Sequence, residues 1–60
     1  MKLKELSKGQ CFRFVHGGIA GQAVYVFDHI HDGKALCYPE DDPRLLSRFD
    51  LEWPVVLDEA

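Results

Sequence analysis

This chain is short of several things, and each shortage removes a class of explanation. No run approaches the roughly 18 apolar residues that a membrane-spanning helix requires, which excludes a helical membrane protein. The opening Met1-Lys2-Leu3-Lys4-Glu5 has none of the apolar h-region of a secretion signal. Cysteine is limited to Cys11 and Cys37, too few for the disulfide framework that staples small secreted domains. Together these absences imply a cytoplasmic protein with reduced thiols, in which a Cys11–Cys37 bridge would be the exception. Cations are scarce beyond residue 20. Residues 1–20 hold Lys2, Lys4, Lys8 and Arg13 against Glu5, a balance of +3, whereas residues 21–60 hold Lys34, Arg44 and Arg48 against nine acids, a balance of −6. An acidic domain is a poor general ligand for duplex nucleic acid, whose affinity comes largely from neutralised phosphates.

Length sets a further limit. Sixty residues make one domain, spanning 1–60. A chain of this size buries only about 60% of its unfolded surface, so its margin of stability is thin. It has little volume to spare for a ligand pocket of about 300 Å³ or more. No catalytic motif is present and nothing in the sequence calls for a cofactor, so the expected activity is non-enzymatic.

What is present reads as strands. Ser7-Lys8-Gly9 is a turn signal, and residues 11–16 follow as a first strand with Phe12 and Phe14 on one face. Residues 17–21, with three glycines, form a flexible connection suited to a long hairpin loop. Residues 23–31 are the strongest strand, rich in β-branched and aromatic side chains. Asp32-Gly33 is a favoured two-residue turn, and residues 34–38 return beside the strand. Pro39 to Pro43 enclose three acids and read as a solvated loop. Residues 45–49 form a fourth strand or a short helical turn, and residues 53–57 close the chain as an edge strand. No window carries a helical apolar stripe. The pattern predicts an all-β fold, a small, five-stranded, strongly bent antiparallel sheet or barrel.

The hairpin at Asp32-Gly33 carries the functional question, because both of its faces are apolar. An unbroken two-residue turn pairs His31 with Lys34, Ile30 with Ala35, His29 with Leu36, Asp28 with Cys37 and Phe27 with Tyr38. Strand alternation then separates Val24, Val26, Asp28, Ile30, Ala35 and Cys37 from Ala23, Tyr25, Phe27, His29, His31, Lys34, Leu36 and Tyr38. The small, β-branched set is assigned to the core. The second set is assigned to the surface, where Tyr25, Phe27, Leu36 and Tyr38 act as anchors and His29, His31 and Lys34 as a polar rim. Two alternatives stay open. Large aromatics supply most of a small domain's burial, which would put Tyr25, Phe27 and Leu36 inside. A bulge between Asp28 and Ile30 would switch faces midway along the strand.

Other residues offer weaker chemistry. His29 and His31 are spaced to present two imidazoles to one metal ion, but two ligands do not make a site, and the register above turns Cys37 away from them. Cys11 and Cys37 with the histidines would need a contact, an orienting group and a cleft before they resembled a nucleophile and base. The acids Glu40, Asp41 and Asp42 lack the spaced oxygens of a calcium loop, and would at most steer a basic partner. Trp53 is either a core anchor or a recognition aromatic.

Leu6-Ser7-Lys8-Gly9-Gln10-Cys11-Phe12-Arg13-Phe14, followed by a glycine-rich loop and the Val24-Tyr25-Val26 strand, resembles the start of small Src-homology-3-like barrels, among them small bacterial and phage proteins. The resemblance covers the chain as a pattern of strands and turns, and implies a module that binds peptides, proteins or nucleic acids. The acidic loop and paired tyrosines of the eukaryotic peptide-binding family are not recognisable, so no ligand residue carries over. The leading expectation is an interaction module that engages a protein partner, or itself, through the hairpin face. The first alternative is single-stranded nucleic-acid binding, with bases stacked on Tyr25, Phe27 and Tyr38 and phosphates held by Lys34, Arg13 and the amino-terminal lysines. The second alternative is weak metal binding by His29 and His31.

Overall fold

Phe12 and Phe14 lie two residues apart in an extended run, so both side chains fall on the same side of it. That side is the core, where they are 0% and 7% exposed. The computed structural model describes residues 1–58. Its elements are a 3-10 turn at Leu3–Glu5 and six strands: β1 (Cys11–His16), β2 (Ile19–Ala20), β3 (Tyr25–His31), β4 (Lys34–Pro39), β5 (Ser47–Phe49) and β6 (Val55–Leu57). The fold is all-β, and all the strand pairings are antiparallel. Among the described residues no helix is long and apolar enough to cross a membrane.

β1 is the spine of the sheet. It pairs with β6 along one edge and with β3 along the other, and β3, β4 and β5 follow in order. β2 folds back on the far end of β1 through Val15–Ala20 and His16–Ile19. The sheet curls around the core without closing between β5 and β6. β6 is not a bare edge. The Val55 amide donates to the Met1 carbonyl at 2.9 Å, and Lys2 bridges Pro54, so the amino terminus pairs with its free edge. The 3-10 turn is held there as well, with the Leu3 amide donating to the Trp53 carbonyl at 2.9 Å. This carries Leu3 and Leu6 into the core at 0% and 7% exposure.

Six strands form where the sequence pattern predicts five. The additional one is β2, in the stretch expected to be a long loop. Gly17 and Gly18 both take positive φ, +58° and +80°. Two such residues make the mirror-image turn that suits the twist of a two-residue hairpin. Asp32 (φ +52°) and Gly33 (φ +75°) make the same kind of turn at the expected place. Loop 40–46 runs longer than expected, so β5 begins at Ser47, as a strand and not a helical turn.

The face assignment within the hairpin needs correction for Tyr25 and Phe27. The expected pairs hold from the turn through His29–Leu36. The register then shifts, and Phe27 pairs with Cys37, Val26 with Tyr38 and Tyr25 with Pro39. Asp28 is the extra residue of a bulge, which reverses the parity of everything before it. Phe27, at 4% exposure, therefore belongs to the core with Ala35 and Cys37, both fully buried. Tyr25 packs against the core as well. Val26 turns to the opposite side, between Cys11 and Tyr38, where it is buried although it is no part of the core cluster. Ile30 keeps core parity opposite Ala35, but it lies past the end of the packed interior and is 47% exposed.

Phe14 is the hub of the interior. Its ring centroid lies 5.1 Å from Phe12, 5.1 Å from Tyr25, 4.8 Å from Phe49 and 5.0 Å from Trp53. Aromatic pairs at such spacings contribute about 0.5–1.5 kcal/mol each beyond area burial. Trp53 thus takes the core-anchor role, with His16 edge-on against its outer side at 5.5 Å.

Candidate functional site

With the bulge in place, alternation sorts the sheet consistently. Phe12, Phe14, Tyr25, Phe27, Ala35, Cys37, Phe49, Val55 and Leu57 face the core or pack against it. The intervening residues face outward: Arg13 opposite Val56, Cys11 opposite Val26, Val26 opposite Tyr38, and Leu36 between His29 and Arg48. His31 and Lys34 extend this face towards the turn. Of the seven expected surface residues, His29, His31, Lys34, Leu36 and Tyr38 share the outer side of the hairpin, and Tyr25 and Phe27 do not. The structure adds Arg48, which sequence reasoning missed. Its place beside Leu36 depends on the β4–β5 register, and no local periodicity in loop 40–46 announces that register.

The outer face has an apolar centre and a polar surround. Leu36 and Tyr38 are half-buried, and His29, His31, Lys34 and Arg48 around them are exposed. The two histidine rings lie 6.4 Å apart, centroid to centroid. His29 Nδ1 contacts the Asp28 carboxylate, so the bulge residue occupies one nitrogen of the pair. No group of three His, Cys, Asp or Glu side chains is placed to hold a metal ion among the described residues.

The cysteines sit on opposite sides of the sheet. Cys37 is fully buried in the core, and Cys11 is on the outer side, with β3 lying between their strands. Two strand spacings of about 4.8 Å put the Cα atoms beyond the reach of a disulfide, and both thiols are free. Burial pushes the Cys37 thiol up to about 11. Desolvation also raises Cys11, and the Glu40 carboxylate adds to it, accepting the Cys11 thiol at 3.8 Å. Neither thiol is activated as a nucleophile.

Much of the positive charge is engaged within the chain. Glu52 accepts Lys2 at 2.7 Å and Lys4 at 2.6 Å, and these hydrogen bonds hold its carboxyl down at about 2. Arg13 pairs with Asp58 at 3.1 Å and Arg44 with Asp42 at 3.5 Å. Lys2, Lys4 and Arg13 are among the cations that a nucleic-acid reading assigns to phosphates, whereas Lys8, of the same set, has no ion pair among the described residues. Of the three stacking aromatics in that reading, only Tyr38 lies on the outer face. Lys34 and Arg48 have no ion pair among the described residues.

One cleft of about 230 Å³ opens at the other end of the hairpin, lined by Gln22, Ala23, Val24, Pro39, Glu40 and Asp41. The Glu40 amide donates to the Val24 carbonyl at 2.9 Å, which ties its two walls together. Sequence reasoning took these acids for a solvated loop. No protein-family model, curated protein or solved structure matches this chain.

Proposed function

We propose that this protein is a non-enzymatic interaction module that binds a protein partner, or a second copy of itself, through the outer face of the β3–β4 hairpin. The observation that carries this reading is the row His29–Leu36–Arg48 beside Tyr38, His31 and Lys34. A half-buried aliphatic and a tyrosine inside a ring of cations and imidazoles have the anchor-and-rim composition of a protein interface. Anchors of this kind gain energy by losing their remaining water, and the rim sets orientation. Burial against a partner would also add to the thin stability of a 60-residue domain.

The strand order, with β6 and β3 flanking β1 and β4 and β5 following, supports a Src-homology-3-like architecture for the module. Two reduced thiols, one of them in the core, suit the cytoplasm. The reading is tested by Leu36→Glu and Tyr38→Ala, each checked for retained folding by Trp53 fluorescence. Sedimentation velocity detects self-association, and affinity capture with quantitative mass spectrometry detects a partner. Both changes should abolish whichever association the wild-type protein shows. An association that survives both variants overturns the assignment of the surface.

A further inference from the structure

Six of the nine described side-chain carboxylates are matched internally. Asp28 has His29, Asp42 has Arg44, Glu52 has Lys2 and Lys4, and Asp58 has Arg13. Glu5 accepts the Lys2 amide and Asp50 the Glu52 amide. Among the described residues, Asp32, Glu40 and Asp41 have neither a cation nor an amide partner. Asp32 sits in the hairpin turn, whereas Glu40 and Asp41 both line the cleft. Among the described residues the Glu40 carboxylate accepts only from the Cys11 thiol, at 3.8 Å, and a thiol is a weak donor.

The rest of the lining is of the opposite character: Ala23, Val24 and Pro39 are apolar, and Gln22 is neutral. The cleft is preformed, because the β3–β4 ladder ends there with Tyr25 opposite Pro39 and the Glu40 amide on Val24. At about 230 Å³ it is smaller than the sites that enclose whole small-molecule ligands, and it suits one long side chain. A cleft lined by apolar groups and two unmatched carboxylates complements an aliphatic stem with a cationic head, the form of arginine or lysine. We infer that the cleft between residues 22–24 and 39–41 receives a lysine or arginine side chain of a partner protein. The cleft shares no lining residue with the hairpin row, and the inference does not depend on that row being an interface.

The test is an amide-shift titration of isotopically labelled protein with acetyl-Gly-Arg-Gly-amide, its citrulline counterpart, and calcium alone. The arginine peptide should give saturable shifts centred on Gln22, Ala23, Val24, Glu40 and Asp41. The Glu40→Gln/Asp41→Asn double variant should weaken binding by up to about tenfold, as expected for two exposed charge pairs. The citrulline peptide, close in shape and neutral, should bind more weakly by a similar factor. Equal shifts with citrulline, the same shifts with calcium, or no saturable shifts at these amides would each overturn the inference. Shifts confined to His31, Lys34 and Leu36 would also overturn it, and would leave the hairpin-face reading standing.

Discussion

Phe27→Ala tests the consequence of the bulge most sharply. Phe27 is 4% exposed and opposes fully buried Cys37. Truncating a buried phenylalanine removes its transfer free energy and leaves a cavity, a loss of about 3–5 kcal/mol. A 60-residue domain has a total stability of only about 3–9 kcal/mol at the usual 0.05–0.15 per residue. With a urea dependence near 1 kcal/mol/M for a chain this small, the midpoint should fall by about 3 M or more, or the variant should not fold. Phe27→Leu keeps most of the volume and should fold with a loss of about 1–2 kcal/mol. Tyr38→Ala, on the outer face and outside the core cluster, should lose about 1 kcal/mol. Trp53, the single tryptophan, packs 5.0 Å from Phe14 and reports each transition by fluorescence. If Tyr38→Ala were the more damaging change, with Phe27→Ala mild, the parity argument would fail.

Three further outcomes follow from named contacts. Deleting Asp28 converts the hairpin to an unbroken ladder that keeps Phe27 inside and His29 outside, so the variant should fold, and contacts between Phe27 and Cys37 should persist in its NMR spectra. Glu52 is depressed from 4.5 to about 2 by Lys2 and Lys4, so the stabilisation it contributes is present above pH 4.5 and is lost as pH falls towards 2. Denaturation midpoints of wild type and Glu52→Gln should therefore converge across that window, and added salt should narrow the gap at neutral pH. Cys37 is raised by burial from 9.0 to about 11, so it favours folding below pH 9 and loses that contribution as pH climbs towards 11. At pH 8 an alkylating reagent should label Cys11 in the native protein, and should reach Cys37 only on unfolding.

Much of this fold was legible because local rules and tertiary structure agree. Phe12 and Phe14 announce an inward face by simple alternation, and Asp32-Gly33 places the hairpin turn correctly. The face of Tyr25 and Phe27 was not legible from the chosen register. Strand parity depends on a single residue, and a bulged Asp28 inverts it without a compositional trace. The open alternatives, aromatics inside or a bulge near Asp28, describe what Tyr25 and Phe27 do. Leu36 nonetheless stays on the outer side, because it lies on the strand that carries no bulge. β2 escaped because two residues are too few to show a period, although the adjacent Gly17-Gly18 pair was a turn signal of the same kind as Asp32-Gly33. Arg48 beside Leu36, and the cleft between residues 22–24 and 39–41, come from pairings across loops whose path no short-range pattern encodes.

The most direct test of the interaction surface is site-specific photo-crosslinking in the protein's native cell, with a benzophenone side chain placed in turn at Leu36, Tyr38 and Val56. All three positions lie on the outer side of the sheet, but only the first two belong to the hairpin row. The account predicts one dominant adduct, shared by positions 36 and 38 and absent from position 56. No adduct at 36 and 38, or equal yields at all three positions, would contradict it.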